Sequence, residues 1–146
     1  MCVERLAGSW PGKALTTVEL YRLIDEAQEN RSPEERIRAV VGMGESGDPR
    51  VVTPLIACCR DPDAELRRYA TEALHKLRSG RAVSALIERL RDRSEQPATR
   101  QRAAAALALI RTYDAVEELK ERLSDTGESD NIRSYISDVI RKAAIR

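Results

Sequence analysis

Few residues of this chain carry reactive chemistry, and their spacing limits what they can do. His75 is the only histidine, whereas a zinc-type site needs three or four converging ligands. No Ser or Cys near it builds a nucleophile–base pair, so His75 is expected on the surface. The three cysteines are Cys2, Cys58 and Cys59. An odd count with two neighbours argues against a disulfide framework and for a reducing compartment, hence a cytoplasmic protein. Adjacent helical residues point about 100° apart, so Cys58 and Cys59 cannot bridge without distortion. Cys59 falls in register with Leu90 and Leu123 and is expected buried and inert. Cys58 falls in register with Arg89 and Arg122 and is expected partly exposed. With no C-x-x-C spacing, phosphate loop or catalytic constellation, the expectation is a chain without catalytic, metal or cofactor residues, and not an enzyme.

The elements behind these residues form a repeat. An Arg column runs through Arg36, Arg67, Arg100 and Arg133 at spacings of 31, 33 and 33 residues. Six or eight positions before each stands Asn30, Asp61, Asp92 or Asp125. Ala39, Ala70 and Ala103 follow, then Met43, Leu74, Leu107 and Ile140; a second set runs Val52, Val83, Val116 and Leu55, Leu86, Leu119. Each unit reads as two amphipathic helices: Leu66, Ala70, Ala73, Leu74 and Leu77 share one face, and Val83, Leu86, Ile87 and Leu90 another. Eight helices are predicted, over 17–29, 33–45, 49–60, 63–78, 80–91, 97–111, 113–124 and 130–144. Thr16 with Glu19 forms a capping box, and Ser32-Pro33 and Asp48-Pro49 are helix starts. Pro54 lies inside the third helix, which must kink or start late. The absence of Phe and the 3% of aromatics suit helices packed at close range better than a β-sandwich.

The pattern Asp…(Leu/Ile)-Arg-x-x-Ala-x-x-Ala-Leu, a turn, then Ala-Val-x-x-Leu-Ile resembles the HEAT repeat, in the short variety of phycobilisome lyases. The resemblance implies an all-α fold, an α-α superhelix (solenoid) of about four HEAT-like helix pairs in a single right-handed stack. The domain reading is a tail over 1–15 and one repeat domain over 16–146, with repeats near 16–46, 47–78, 79–111 and 112–146. The family's late glycine survives as Gly44 and is replaced by His75, Ala108 and Arg141. Deoxyhypusine hydroxylase is similar in fold but holds two irons with several His-Glu pairs, which one histidine cannot supply.

The Asn30/Asp61/Asp92/Asp125 and Arg36/Arg67/Arg100/Arg133 columns are expected to form a structural ladder, each Asp capping the next helix and meeting an Arg. By resemblance, the second helix of each pair lines a concave face. Facing away from the core columns there are Ile37, Val40, Val41 and Gly44; Arg68, Thr71, Glu72 and His75; Gln101, Ala104, Ala105 and Ala108; and Ser134, Ser137, Asp138 and Arg141. Partner contacts are assigned to Ile37, Val41, Arg68, Glu72, His75, Gln101 and Ala105. The alternative is a phase one position off, with Ile37 and Val40 in the core. Trp10 is read as a cap folding back over the open apolar end, or as a recognition segment, and Ile132, Ile136, Val139 and Ile140 as the last inner stripe.

Charge narrows the partners. The formal balance is +1, with 25 basic and 24 acidic side chains, which argues against nucleic acid. Residues 19–48 hold 4 basic and 8 acidic side chains, 60–102 hold 11 and 7, and 114–130 hold 2 and 7. No apolar window reads as a signal peptide or a membrane span. The sequence therefore leads to an interaction module, an adaptor or scaffold that binds another protein's helix or peptide, as a monomer or weak end-to-end dimer. The alternatives are an auxiliary subunit of a bilin chromophore lyase and a weak nucleic-acid binder.

Overall fold

The computed structural model describes residues 15–146, so the readings of Cys2 and Trp10 lie outside the described residues. Among these residues there are eight α-helices: α1 Thr17–Glu26, α2 Pro33–Ser46, α3 Val52–Cys58, α4 Ala64–Leu77, α5 Val83–Arg91, α6 Pro97–Ile110, α7 Tyr113–Ser124 and α8 Asp130–Lys142. None is long and apolar enough to cross a membrane.

Local chemistry sets the starts. The Thr16 and Ser32 hydroxyls accept from the amides of Glu19 and Glu35, whose carboxylates accept in return from the Thr16 and Ser32 amides. Both are complete capping boxes. The Asp48 carboxylate accepts from the Arg50 amide and opens a 3₁₀ turn, Pro49–Val51, so α3 begins only at Val52. Pro54 thus falls in the first turn, where its missing N–H has no intrahelical partner to lose. Each second helix of a pair ends at a left-handed residue: Gly47, Arg78, Arg111 and Ala144, with φ of 68°, 53°, 61° and 55°.

The chain divides into two compact units after Leu77. In the first, α2 packs on α1 and α4, and α3 on α4; in the second, α6 packs on α5, α7 and α8, and α7 on α8. Leu66, Ala70 and Leu74 of α4 and Ala39, Val40 and Met43 of α2 are buried in the first core, and Ala103, Leu107, Leu119, Ile132 and Ile136 in the second. Val139 and Ile140, assigned to the last inner stripe, are half-buried.

The width of the buried face differs from the sequence expectation. Val40, Gly44, Thr71, Ala104 and Ala108, read as groove positions, are buried. Each second helix has neighbours on several sides, so its buried arc exceeds one stripe, and on α6 it covers Thr99, Arg100 and five alanine or leucine positions between Ala103 and Ala108. Ile37 remains partly exposed, so the one-position phase shift holds at Val40 and not at Ile37. His75, expected on the surface, is half-buried because it shares the register of the buried Gly44 and Ala108.

Asp48 ties the first unit together. Its side chain is 1% exposed; one oxygen accepts the Leu15 amide at 2.8 Å and the other the Arg50 amide at 2.9 Å. The Arg50 guanidinium also reaches the Leu15 carbonyl. Hydrogen bonding from Arg50 outweighs burial and holds the Asp48 carboxyl at about 2. Its folded-state value is thus below the ordinary carboxylate value of about 3.9. The contribution is present above that ordinary value and disappears as pH falls through about 2.

Two outcomes follow from this packing. A Cβ on Gly44 would lie 2.7 Å from the Ala73 Cβ and 3.0 Å from its Cα, whereas one on Gly42 meets only the tip of Leu23 at 3.5 Å. Gly44→Ala should therefore destabilise by about 1–3 kcal/mol through overpacking. Gly42→Ala should be neutral or stabilise by about 0.5–1 kcal/mol through helix propensity. Thermal unfolding of the two variants checks the contrast. Asp48→Asn should cost about 1–3 kcal/mol at neutral pH and flatten the acid limb of the stability–pH curve between about pH 4 and 2, as measured by urea denaturation.

Candidate functional site

The Arg and Asp columns come together at the turns between repeats. Arg36 donates from Nε to the Ala27 carbonyl at 2.9 Å and from Nη2 to Asp61 at 2.5 Å. Their side chains are 11% and 10% exposed. Burial alone would raise the Asp61 carboxyl, but the Arg36 hydrogen bond, the Asp63 amide and nearby positive charge hold it below the usual range. Arg100 repeats the geometry with a different acid: Nε donates to the Leu90 carbonyl at 2.8 Å and Nη2 to Glu128 at 2.7 Å. Arg67 donates to the carbonyls of Asp61 and Pro62, both at 2.9 Å. Arg133 meets Asp130 on the surface, and Asn30 is exposed.

The Asp column does not cap the helices as the sequence suggested. Asp61, Asp92 and Asp125 each accept the amide two residues on, from Asp63, Ser94 and Gly127. They form Asx turns that fold the chain into the next helix. The caps come later, from Asp63 for α4 and Ser129 for α8. The reason is steric: between the column and the helix lie two or more residues, so the carboxylate reaches the turn and not the first helical amides.

Three acids of the second unit escaped the sequence reading. Glu95, Glu118 and Glu128 are 4%, 3% and 5% exposed. Glu95 pairs with Arg89 at 2.6 Å, Glu118 with Arg91 at 2.7 Å, and Arg122 lies 3.1 Å from Glu118 and 3.2 Å from Asp125. A signal existed: Glu95 and Glu128 both stand three residues after the Asp column, in Asp-x-x-Glu.

The first unit has a cleft of about 390 Å³ at the corresponding turn. Ile24, Ala27, Pro54 and Ala57 give it an apolar lining, Arg36, Cys58 and Asp61 supply polar atoms, and the exposed Glu29 and Arg60 border it. Cys58 is 7% exposed, against the expectation of a partly exposed thiol. The register itself is covered: even the arginines that occupy it in the second unit, Arg89 and Arg122, are 12% and 14% exposed. Cys59 is fully buried, its sulfur 3.7 Å from the Thr71 hydroxyl.

Of the seven side chains assigned to partner contact, Ile37, Val41, Arg68, Glu72 and His75 lie in the first unit and Gln101 and Ala105 in the second, all partly exposed. Ile37 and Val41 sit one turn apart on α2, and Arg68 stacks on the Tyr69 ring at 4.5 Å. Among the described residues no group of three or more His, Cys, Asp or Glu converges as a metal site would require.

Burial pushes the Cys58 thiol up to about 11, partly offset by Arg36. Two units above an ordinary thiol means about a hundredfold less thiolate at pH 8. Iodoacetamide should therefore label the native Cys58 peptide about a hundredfold more slowly than the urea-unfolded one, read by mass spectrometry.

Comparison with known proteins sets this geometry in context. Residues 20–97 match the family model for HEAT repeats. No curated protein matches the sequence. Human deoxyhypusine hydroxylase, solved with glycerol, is similar with a TM-score of 0.76 and 21% identity over 91% of this chain and 46% of that one. The CpcE–CpcF complex of phycocyanin lyase from Nostoc sp. PCC7120 is similar with a TM-score of 0.66 and 19% identity over 90% of this chain and 55% of that one. The chain spans about half the length of each, and at these identities the likeness is one of fold: all-α, of the helical-repeat solenoid class. Both structures are of enzymes, which overturns the expectation that this chain is not one. The register of Ala, Leu and Arg columns, the helix pairs they build and the match over 20–97 agree: the chain belongs to the HEAT repeat family.

Proposed function

We propose that this chain is a protein-interaction scaffold that holds a partner helix or extended peptide along its second helices. The observation that carries the reading is the partly exposed pair Ile37 and Val41 on α2. Adjacent turns of a solvated helix rarely carry two β-branched apolar residues, whereas a helix-in-groove partner uses this i, i+4 spacing. Arg68, Glu72 and His75 offer charge and hydrogen bonding in the first unit, and Gln101 and Ala105 a flatter contact in the second.

A second reading is favoured by the similarity to the CpcE–CpcF complex, a pair of chains that form phycocyanin lyase. In it this chain is an auxiliary subunit beside a second repeat chain, and adding bilin to the reconstituted pair would change the pigment's absorbance.

Capture from a source-cell lysate tests the first reading. Ile37→Asp, Val41→Asp protein should keep the helical circular dichroism of the parent and lose partner retention by about tenfold or more, the loss expected when a buried apolar anchor is removed. Undiminished capture by the folded variant would remove the α2 strip from the interface.

A further inference from the structure

The cleft of the first unit occupies a position that the second unit fills with its own side chains. Cys58 stands in the register of Arg89 and Arg122, three residues before Asp61, Asp92 and Asp125 respectively. In the second unit both arginines turn inward there, Arg122 to Asp125 at 3.2 Å and Arg89 to Glu95 at 2.6 Å with Asp92 at 3.5 Å, and their side chains are 12% (Arg89) and 14% (Arg122) exposed. At Asp61 the corresponding cation is missing from the register and the space is open, about 390 Å³ beside Cys58.

The second unit also shows that one carboxylate here accommodates two guanidinium groups. Asp125 is met by Arg93 at 2.8 Å and by Arg122 at 3.2 Å. Glu128 is met by Arg100 at 2.7 Å and lies 3.9 Å from Arg122. Asp61 holds Arg36 through a close Nη2–Oδ2 pair, with a longer contact from Nη1 to Oδ1 at 3.5 Å. Ile24, Ala27, Pro54 and Ala57 provide apolar surface for a methylene stem, and Glu29 and Arg60 border the opening.

The geometry points to a docking site for an arginine side chain of a partner peptide, which would supply in trans the guanidinium that Arg89 and Arg122 supply in cis. A guanidinium fits better than an ammonium because a planar fork can share a carboxylate already engaged by another arginine. The inference goes beyond the α2 strip and uses a different set of residues.

The test uses the full chain and three probes, acetyl-Ala-Arg-Ala-amide and its lysine and citrulline counterparts, followed by amide NMR titration. The arginine peptide should shift the Ala57, Cys58 and Asp61 amides saturably. The neutral citrulline peptide should bind about tenfold or more weakly, and the lysine peptide should fall between. Cys58→Arg should fill the site from within and abolish binding, Asp61→Asn should weaken it about tenfold or more, and Cys58→Ser should bind like the parent. Equal binding of citrulline, retained affinity in folded Cys58→Arg, or no saturable shift would each overturn the site. Should Cys58→Arg not fold, the citrulline comparison on the parent protein decides alone. The Ile37→Asp, Val41→Asp protein keeps every cleft residue and should bind the arginine peptide normally, so failure of the strip and failure of the cleft are read separately.

Discussion

The close approach of second helices is the constraint on which the rest of each unit depends. Gly44 meets Ala73 with no room for a Cβ, and Ala39, Ala70, Ala103 and Ala104 are wholly buried. Small residues bring the helices close enough for leucine, methionine and valine to interdigitate without aromatic filling. That closeness widens the buried arc, which carries Thr71, Thr99 and Arg100 into the interior. Polar groups taken that deep are stabilised by internal partners, which Thr71 and Arg100 have and the Thr99 hydroxyl lacks. Thr71 donates back to the Arg67 carbonyl, and Arg100 is held between Leu90 and Glu128.

The ion pairs at the turns follow from the same packing. Nε of Arg36 and Arg100 satisfies the carbonyl at the end of a preceding segment, and the other face of the guanidinium meets an acid of the next turn. Each arginine thus closes a terminus that would otherwise leave carbonyls without donors. Buried pairs of this kind add little net stability over an apolar contact, but losing one partner is costly because the other charge stays buried. Their value is positional: they set where one helix pair ends and the next begins.

Departures from the repeat are where binding chemistry becomes available. The second unit fills its turn with Arg89, Arg122 and the acids Glu95, Glu118 and Glu128. In the first, Asp61 stands two residues nearer the following helix than Asp92 and Asp125 do, with Cys58 in place of Arg and a cleft in place of the network. Asp48, at the other end of the same unit, spends its carboxylate on Leu15 and Arg50 and is a structural tie.

The helix pairs, their starts and the delayed onset of α3 were legible from local chemistry: apolar periodicity, the Thr16 and Ser32 capping boxes and Pro54 depend on residues a few positions apart. The Arg and Asp columns were legible as columns, and Asp-x-x-Glu could have been. The left-handed ends at Arg78, Arg111 and Ala144 were not, since only Gly47 carries the residue that ordinarily marks such an end. Nor were the burial of Cys58 and Thr71, the partial burial of His75 or the acid each arginine chooses, whereas Val40 in the core was the stated alternative. Periodicity assigns one face to a helix, but how much of its circumference is buried depends on how many neighbours surround it. Likewise, a carboxylate three residues from its rival differs in sequence by almost nothing. Only the tertiary path of the turn carries Glu128 to Arg100 and leaves Asp125 to Arg93 and Arg122.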